Sequence, residues 1–194
     1  MKNQDLYHLF INELQDMYSA EELIIEALPH LIKSAFHEDL KEALTHHLKE
    51  TQNQVKRLQK AFSLLDSPGK KKLCKGMEGI LKEGKELISH QASSPVLDAV
   101  IIGGAQKVEH YEIASYGTLC SFAKHLNLKG DLIDLLKENL KEEEAADKKL
   151  TKIAEGSFFS TGVNEEAVET TLDARAEKGA LNRQEKAPKL KHRT

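Results

Sequence analysis

The stretch AQKVEHYEIASYG, Ala105 to Gly117, carries Glu109 and Glu112 one turn apart on what reads as a helix. Its apolar stripe runs through Val100, Ile101, Val108, Ser115 and Leu119, so at least one of these carboxylates points toward a core. An unpaired carboxylate is too costly to bury, and such a group is neutralised, paired or bound to metal. Other apolar stripes are interrupted in the same way, by Glu21, Glu143 and Asp147, and Glu50 stands beside a stripe that contains Gln54. Carboxylate and amide oxygens are the donors that hard divalent and trivalent cations take.

These side chains need elements to hold them. Glu, Lys, Leu and Ala dominate, Pro is scarce and Trp absent, a composition that enters helices at least cost. The pattern predicts a first helix from Leu6 to Ser34, with Phe10, Leu14, Met17, Glu21, Ile24, Leu28 and Leu31 recurring in steps of four and three. Pro29 falls inside it and predicts a kink near its end. A second helix, Asp39 to Leu65, has the seam Leu40, Leu44, His47, Thr51, Gln54, Leu58, Ala61 and Leu65. DSPGKKK ends it, and Leu73 to Ser89 forms a shorter amphipathic segment. A third helix runs from Pro95, suited to a first turn, to Leu126. The fourth, Asp131 to Glu155, has the seam Leu132, Leu136, Leu140, Glu143, Asp147, Leu150 and Ala154.

The expected fold is therefore all-α: two antiparallel hairpins joined by a long, partly helical crossover, which leaves open the end from which the third helix starts. DLKEALTHHLKE at 39–50 echoes DLIDLLKENLKE at 131–142, as two similar halves would. The bundle is expected to occupy 1–156. Residues 157–194 read as a polar tail, disordered or loosely helical, with Phe158 and Phe159 pinned to the bundle.

Depth in the bundle groups the carboxylates. Glu21 and Glu50 lie about equally far from the first turn, and Glu112 and Glu143 about equally far from the second, at 1.5 Å per residue. Each helix thus offers a carboxylate at one level, with Glu109, Asp147 and Gln54 one turn away. Fully ionised and empty, such a level would repel itself and force protonation. Spacing leaves two readings, a metal site or exposed or salt-bridged carboxylates.

DMYSAEELIIEALPHL, HLKETQNQVKRL, AQKVEHYEIASYGTL and EEEAADKKLT resemble signature segments of the YciE/YciF-type bacterial stress proteins, a ferritin-like group. The resemblance implies a ferritin-like four-helix bundle, commonly a homodimer, with a carboxylate-rich dinuclear site related to that of rubrerythrin and a role in stress response. Carried over, it implies the ligands Glu21, Glu50, Glu109, Glu112, Glu143 and Asp147. Where a standard di-iron bundle has Glu-x-x-His twice, this chain has Glu50-x-x-Asn53 and Glu143-x-x-Ala146. The missing donors would come from Gln54, Asp147 or the upstream His47. Fewer imidazoles make a harder, more anionic site, suited to iron(III), manganese or magnesium.

The leading functional expectation is a dinuclear iron or manganese protein that oxidises iron or reduces peroxide or oxygen, a ferroxidase- or peroxidase-type oxidoreductase. The alternatives are a non-catalytic, stress-induced dimeric scaffold with a structural or vestigial site, and a cage for iron storage or DNA protection. A net charge of −3 gives no case for nucleic-acid or membrane partners. Cys74 and Cys120 lack metal-type spacing and read as reduced thiols, and MKNQDLYHLF lacks the features of a signal peptide, so a cytoplasmic location is expected. His110 reads as a surface residue, and Tyr18, Tyr111 and Tyr116 as bundle-boundary side chains or hydrogen-bond partners of the ligands.

Overall fold

A computed structural model describes residues 5–67, 69, 72–156 and 160–185. Its six helices are α1 (Leu6–Ser34), α2 (Glu38–Leu64), α3 (Lys75–Ser89), α4 (Pro95–His125), α5 (Gly130–Glu155) and α6 (Val163–Glu185). The boundaries of the first five fall within two residues of those expected, and four of the five have a side-chain cap at the start. The Asp5 carboxylate accepts the His8 amide, His37 accepts the Asp39 amide, and Ser94 Oγ accepts the Leu97 amide just before Pro95. Cys74, a buried free thiol, caps α3 by accepting the Met77 amide at 3.4 Å.

Helices α1, α2, α5 and α4 pack in a ring, α1 on α2, α2 on α5, α5 on α4 and α4 on α1. This is a four-helix bundle of two hairpins, with α3 as the helical crossover lying against α1 and α4. Asp98 settles the end from which the second hairpin starts. It is fully buried in the first turn of α4, and its two oxygens accept the amides of Phe36 and His37, each at 2.7 Å, in the α1–α2 turn. The crossover thus returns the chain to the level of the first turn, so α4 runs antiparallel to α1. Losing those two charge-assisted bonds leaves two amides unpaired, so Asp98→Ala should destabilise the fold by about 3 kcal/mol, measured by urea unfolding. Asp98→Asn, which keeps one acceptor, should cost less.

The core follows the predicted seams: Phe10, Leu14, Met17, Ile24 and Leu28 on α1, Leu40, Leu44, Leu58 and Ala61 on α2, and Leu132, Leu136, Leu150 and Ala154 on α5 are all buried. Helix α4 departs from a single stripe. It touches α1, α3, α5 and α6, so Asp98, Ile102, Glu109 and Tyr116 are buried alongside Ile101, Val108 and Leu119.

The stretch expected as a polar tail contains a helix, α6, which packs on α4 and α5 and buries Val163. The reversal into it needs glycine at both ends. Gly156 has φ +75, and a Cβ on Gly162 would sit 2.4 Å from the Glu155 carbonyl carbon. Phe158 and Phe159 lie outside the described residues.

Candidate metal centre

The seam of α4 carries Glu109 and Glu112, that of α1 carries Glu21, and that of α5 carries Glu143; all four are at most 2 % exposed. From α2, His47 and Gln54 face the same interior. Ligand atoms of His47, Glu109, Glu112 and Glu143 lie within 4.8 Å of one another, the separation expected of groups that could close on one cation. Glu21 joins them through its electrostatic coupling to Glu143 and its contact with Glu112.

Among the described residues, eight buried side-chain atoms have no hydrogen-bond partner, and all belong to this cluster. They are one oxygen each of Glu21, Gln54, Glu109 and Glu143, both oxygens of Glu112, and both ring nitrogens of His47. Buried polar groups are almost always satisfied. Unsatisfied carboxylate oxygens grouped with a neutral imidazole are what a bound cation would complete.

Without a cation, protons do part of that work. Burial, then the charge of Glu143, pushes the Glu21 carboxyl well above the ordinary range, and burial with the same neighbour does so for Glu109 and Glu112. Burial raises Glu143 to about 7, against the pull of hydrogen bonds from Glu109 and Gln54. His47 stands 3.4 Å from Glu109 and 3.9 Å from Glu143. These are contacts and not ion pairs, because burial lowers the imidazole to about 4 and leaves it neutral, the form that ligates metals.

The pH dependence of the metal-free protein follows. Glu143 holds its proton when folded up to about 7 and, unfolded, only to 4.5. Its stabilisation is complete below 4.5 and is lost as pH rises through 7, and the other three carboxyls act in the same direction. His47, depressed from 6.5 to about 4, opposes this by gaining stability as pH rises, but only across that lower interval. Above about pH 6.5 the carboxyls act alone, so the melting temperature should fall between about pH 6.5 and about pH 8.5 in chelator-treated protein. A rise over that range would contradict the assignment.

Around the cluster lies a fixed polar frame. Tyr116 is fully buried and donates to Glu21, while Asn139 Nδ2 donates to the Tyr116 hydroxyl at 2.8 Å. Gln54 donates to Glu143 and, at 3.0 Å, to Glu142. Arg57 ties the two lines together, reaching Asn139 at 3.0 Å and Glu142 at 2.6 and 2.8 Å. One guanidinium on α2 therefore braces both the Glu21 and the Glu143 sides of the site.

Of the seven residues expected from sequence, Glu21, Gln54, Glu109, Glu112 and Glu143 are brought together. Glu50 and Asp147 are not in the compact group. Glu50 lies at the edge of the α2 seam; its carboxylate is 23 % exposed and 3.0 Å from His46. Asp147, four past Glu143, leans the other way, where it accepts from Gln106 at 3.1 Å and faces His110 at 3.4 Å. His47 sits in the group. His110 is exposed as expected, whereas Tyr111 bonds Asp16 and Cys74 and is no partner of the cluster.

A helical bundle with a buried imidazole–carboxylate cluster between its four helices is thus the class of protein that fold and site define. The chain belongs to the family described as DUF892, a domain of unknown function, whose model matches residues 5–168. It is 41 % identical to Protein YciF of Escherichia coli K12 over 155 residues, 79 % of this chain and 93 % of that one. Among solved structures, YcfI of Rhodopseudomonas palustris superposes with a TM-score of 0.76 at 42 % identity, covering 79 % of this chain and 97 % of that one. The crystal structure of the E. coli stress protein YciF does so at 0.74 and 41 %, over 78 % and 94 %. A Xanthomonas campestris protein shares the fold at a TM-score of 0.61 and 20 % identity, over 89 % and 98 %. Among the described residues no helix is long and apolar enough to cross a membrane.

Proposed function

We propose that the chain is a ferritin-like metal protein of the stress response, holding iron or manganese between its four helices and acting on iron, peroxide or oxygen. The observation that carries this reading is the grouping of ligand atoms of His47, Glu109, Glu112 and Glu143 within 4.8 Å of one another, each residue with an unpartnered buried atom. His47 offers a neutral ring nitrogen, Glu109, Glu112 and Glu143 offer carboxylates, and Glu21 supplies the further carboxylate a dinuclear form requires. A bound iron or manganese ion would supply Lewis-acid and electron-transfer chemistry at this point. The chain supplies the rest. Tyr116 and Gln54 fix the directions of Glu21 and Glu143, and Arg57 and Asn139 fix Gln54's and Tyr116's own partners. The apolar layers of Met17, Ile24, Leu44, Leu58 and Ile101 keep bulk water out.

The test is bound metal per chain after loading with iron(II) or manganese(II), for wild type and Glu143→Ala, followed by iron(II) oxidation with oxygen and with peroxide. About two metals per chain in wild type, lost in the variant, with iron oxidation, is the expected result. Absence of stoichiometric metal would refute the reading. A second reading, a non-catalytic scaffold, draws on the raised carboxyls and neutral imidazole, which let the site stand uncharged; metal binding without oxidation would favour it.

A further inference from the structure

A small pocket of about 110 Å³ opens between α2 and α5 and is continuous with the cluster, because His47 and Glu109 form part of its wall. Both of those side chains carry an unpartnered atom. Toward solvent the wall is completed by His46, Glu50 and Lys149, with Ala145 and Ala146 lining it from α5. Ala146 is three residues after Glu143, on the same side of α5. A longer side chain there would project into the gap that the pocket occupies. Glu50 is half-buried at this mouth, attracted by both His46 and Lys149.

Resting on the metal-site reading above, we propose that this opening is the port of the buried cluster, kept open by Ala146 and tuned by the charges of Glu50 and Lys149. Its size sets what passes. A pocket that holds a drug-sized or metabolite-sized ligand measures roughly 300 Å³ or more. This one has room for a few waters, so it admits a partly dehydrated cation, dioxygen or hydrogen peroxide and shuts out organic substrates. Glu50 thus has a role outside the compact cluster, as the first carboxylate an entering cation meets. Lys149 opposes cation entry from the rim, and oxidants, being neutral, are indifferent to it.

The test is the time course of manganese(II) uptake by chelator-treated full-length protein, quenched with EDTA at intervals, desalted and counted. Ala146→Leu should slow uptake tenfold or more while reaching the wild-type final content, and Ala114→Leu, on the exposed face of α4, should not. Lys149→Glu should speed uptake severalfold, with an advantage that fades in high salt. Uptake by wild type with unchanged rates in both Ala146→Leu and Lys149→Glu would overturn the port and leave the metal site standing. No uptake by wild type would instead overturn the metal site, and the port with it. Should Ala146→Leu lower the final content, Lys149→Glu, an exposed substitution, decides alone.

Discussion

Chelator-treated protein titrated with manganese(II) is expected to melt higher in proportion to the logarithm of free metal, and Glu143→Ala to abolish that response. A ligand that binds only the folded chain stabilises it by about 2.7 kcal/mol at a hundredfold excess over its dissociation constant. For a domain of this size each kcal/mol moves the melting temperature by about 2–4 °C, so a shift of about 5–10 °C is expected. The reason for a large response lies in the starting state. Metal-free, the cluster keeps eight buried atoms without partners and holds protons on carboxyls that burial and mutual repulsion raise. A cation replaces both deficits at once, releasing those protons. Asp147→Asn should retain most of the shift, since Asp147 is satisfied by Gln106 outside the compact group. Equal losses for Asp147→Asn and Glu143→Ala would mean that the compact group is not the site; no shift in wild type would remove the metal centre altogether.

That contrast between Asp147 and Glu143 marks how far the sequence could be read. Helix boundaries were legible because punctuating residues and apolar seams agree, as with Pro95 and the stretch DSPGKKK. Glu21, Glu112 and Glu143 were legible because a carboxylate inside an apolar seam is anomalous on its face. The α5 seam was legible except at two positions: it passed through Leu140 and Asp147, whereas the buried positions are Leu132, Leu136, Asn139, Glu143, Leu150 and Ala154. Asn139 was the available signal, a polar residue in a four-three-four sequence of steps from Leu132. On α4, Tyr116 is fully buried at the site and Ser115 only half. A stripe rule assumes one buried face, and α4 is covered by α1, α3, α5 and α6. Arg57 and Glu142 were invisible for a different reason: they look like surface charges, and only the pairing of α2 with α5 makes them a brace. The direction of the second hairpin was open until Asp98 was seen to hold Phe36 and His37.

The frame of Arg57, Asn139, Tyr116 and Gln54 also separates the roles of the carboxylates. Glu21 and Glu143 each have one oxygen held by a hydrogen-bond donor and one free. Glu112 has neither oxygen held, at 0 % exposure. Neither of its oxygens is held by a fixed donor of the frame, which leaves both available to follow a change of charge at the centre. Burial and the charges of Glu143, Glu21 and Glu109 all act against its ionised form.

Glu112→Leu should therefore make the metal-free protein more stable and the metal-responsive protein impossible. Replacing a buried, imperfectly compensated ionisable group with a hydrocarbon of similar volume typically gains about 1–4 kcal/mol. Here the gain is that the side chain no longer gives up hydration for nothing, and that the repulsion it meets from Glu143, Glu21 and Glu109 disappears. Leucine at this position continues the seam that Val108 and Leu119 already form, so no new cavity opens. The melting temperature of chelator-treated Glu112→Leu should rise by several degrees above wild type at about pH 8. The gap should narrow toward about pH 5.5, where wild-type Glu112 is protonated in the fold and costs less. Addition of manganese(II) should then leave the variant unmoved while wild type climbs past it. A variant less stable than wild type at every pH, without metal, would show instead that Glu112 is satisfied by partners the fold needs. Greater stability traded against lost metal is the signature of a side chain retained for function.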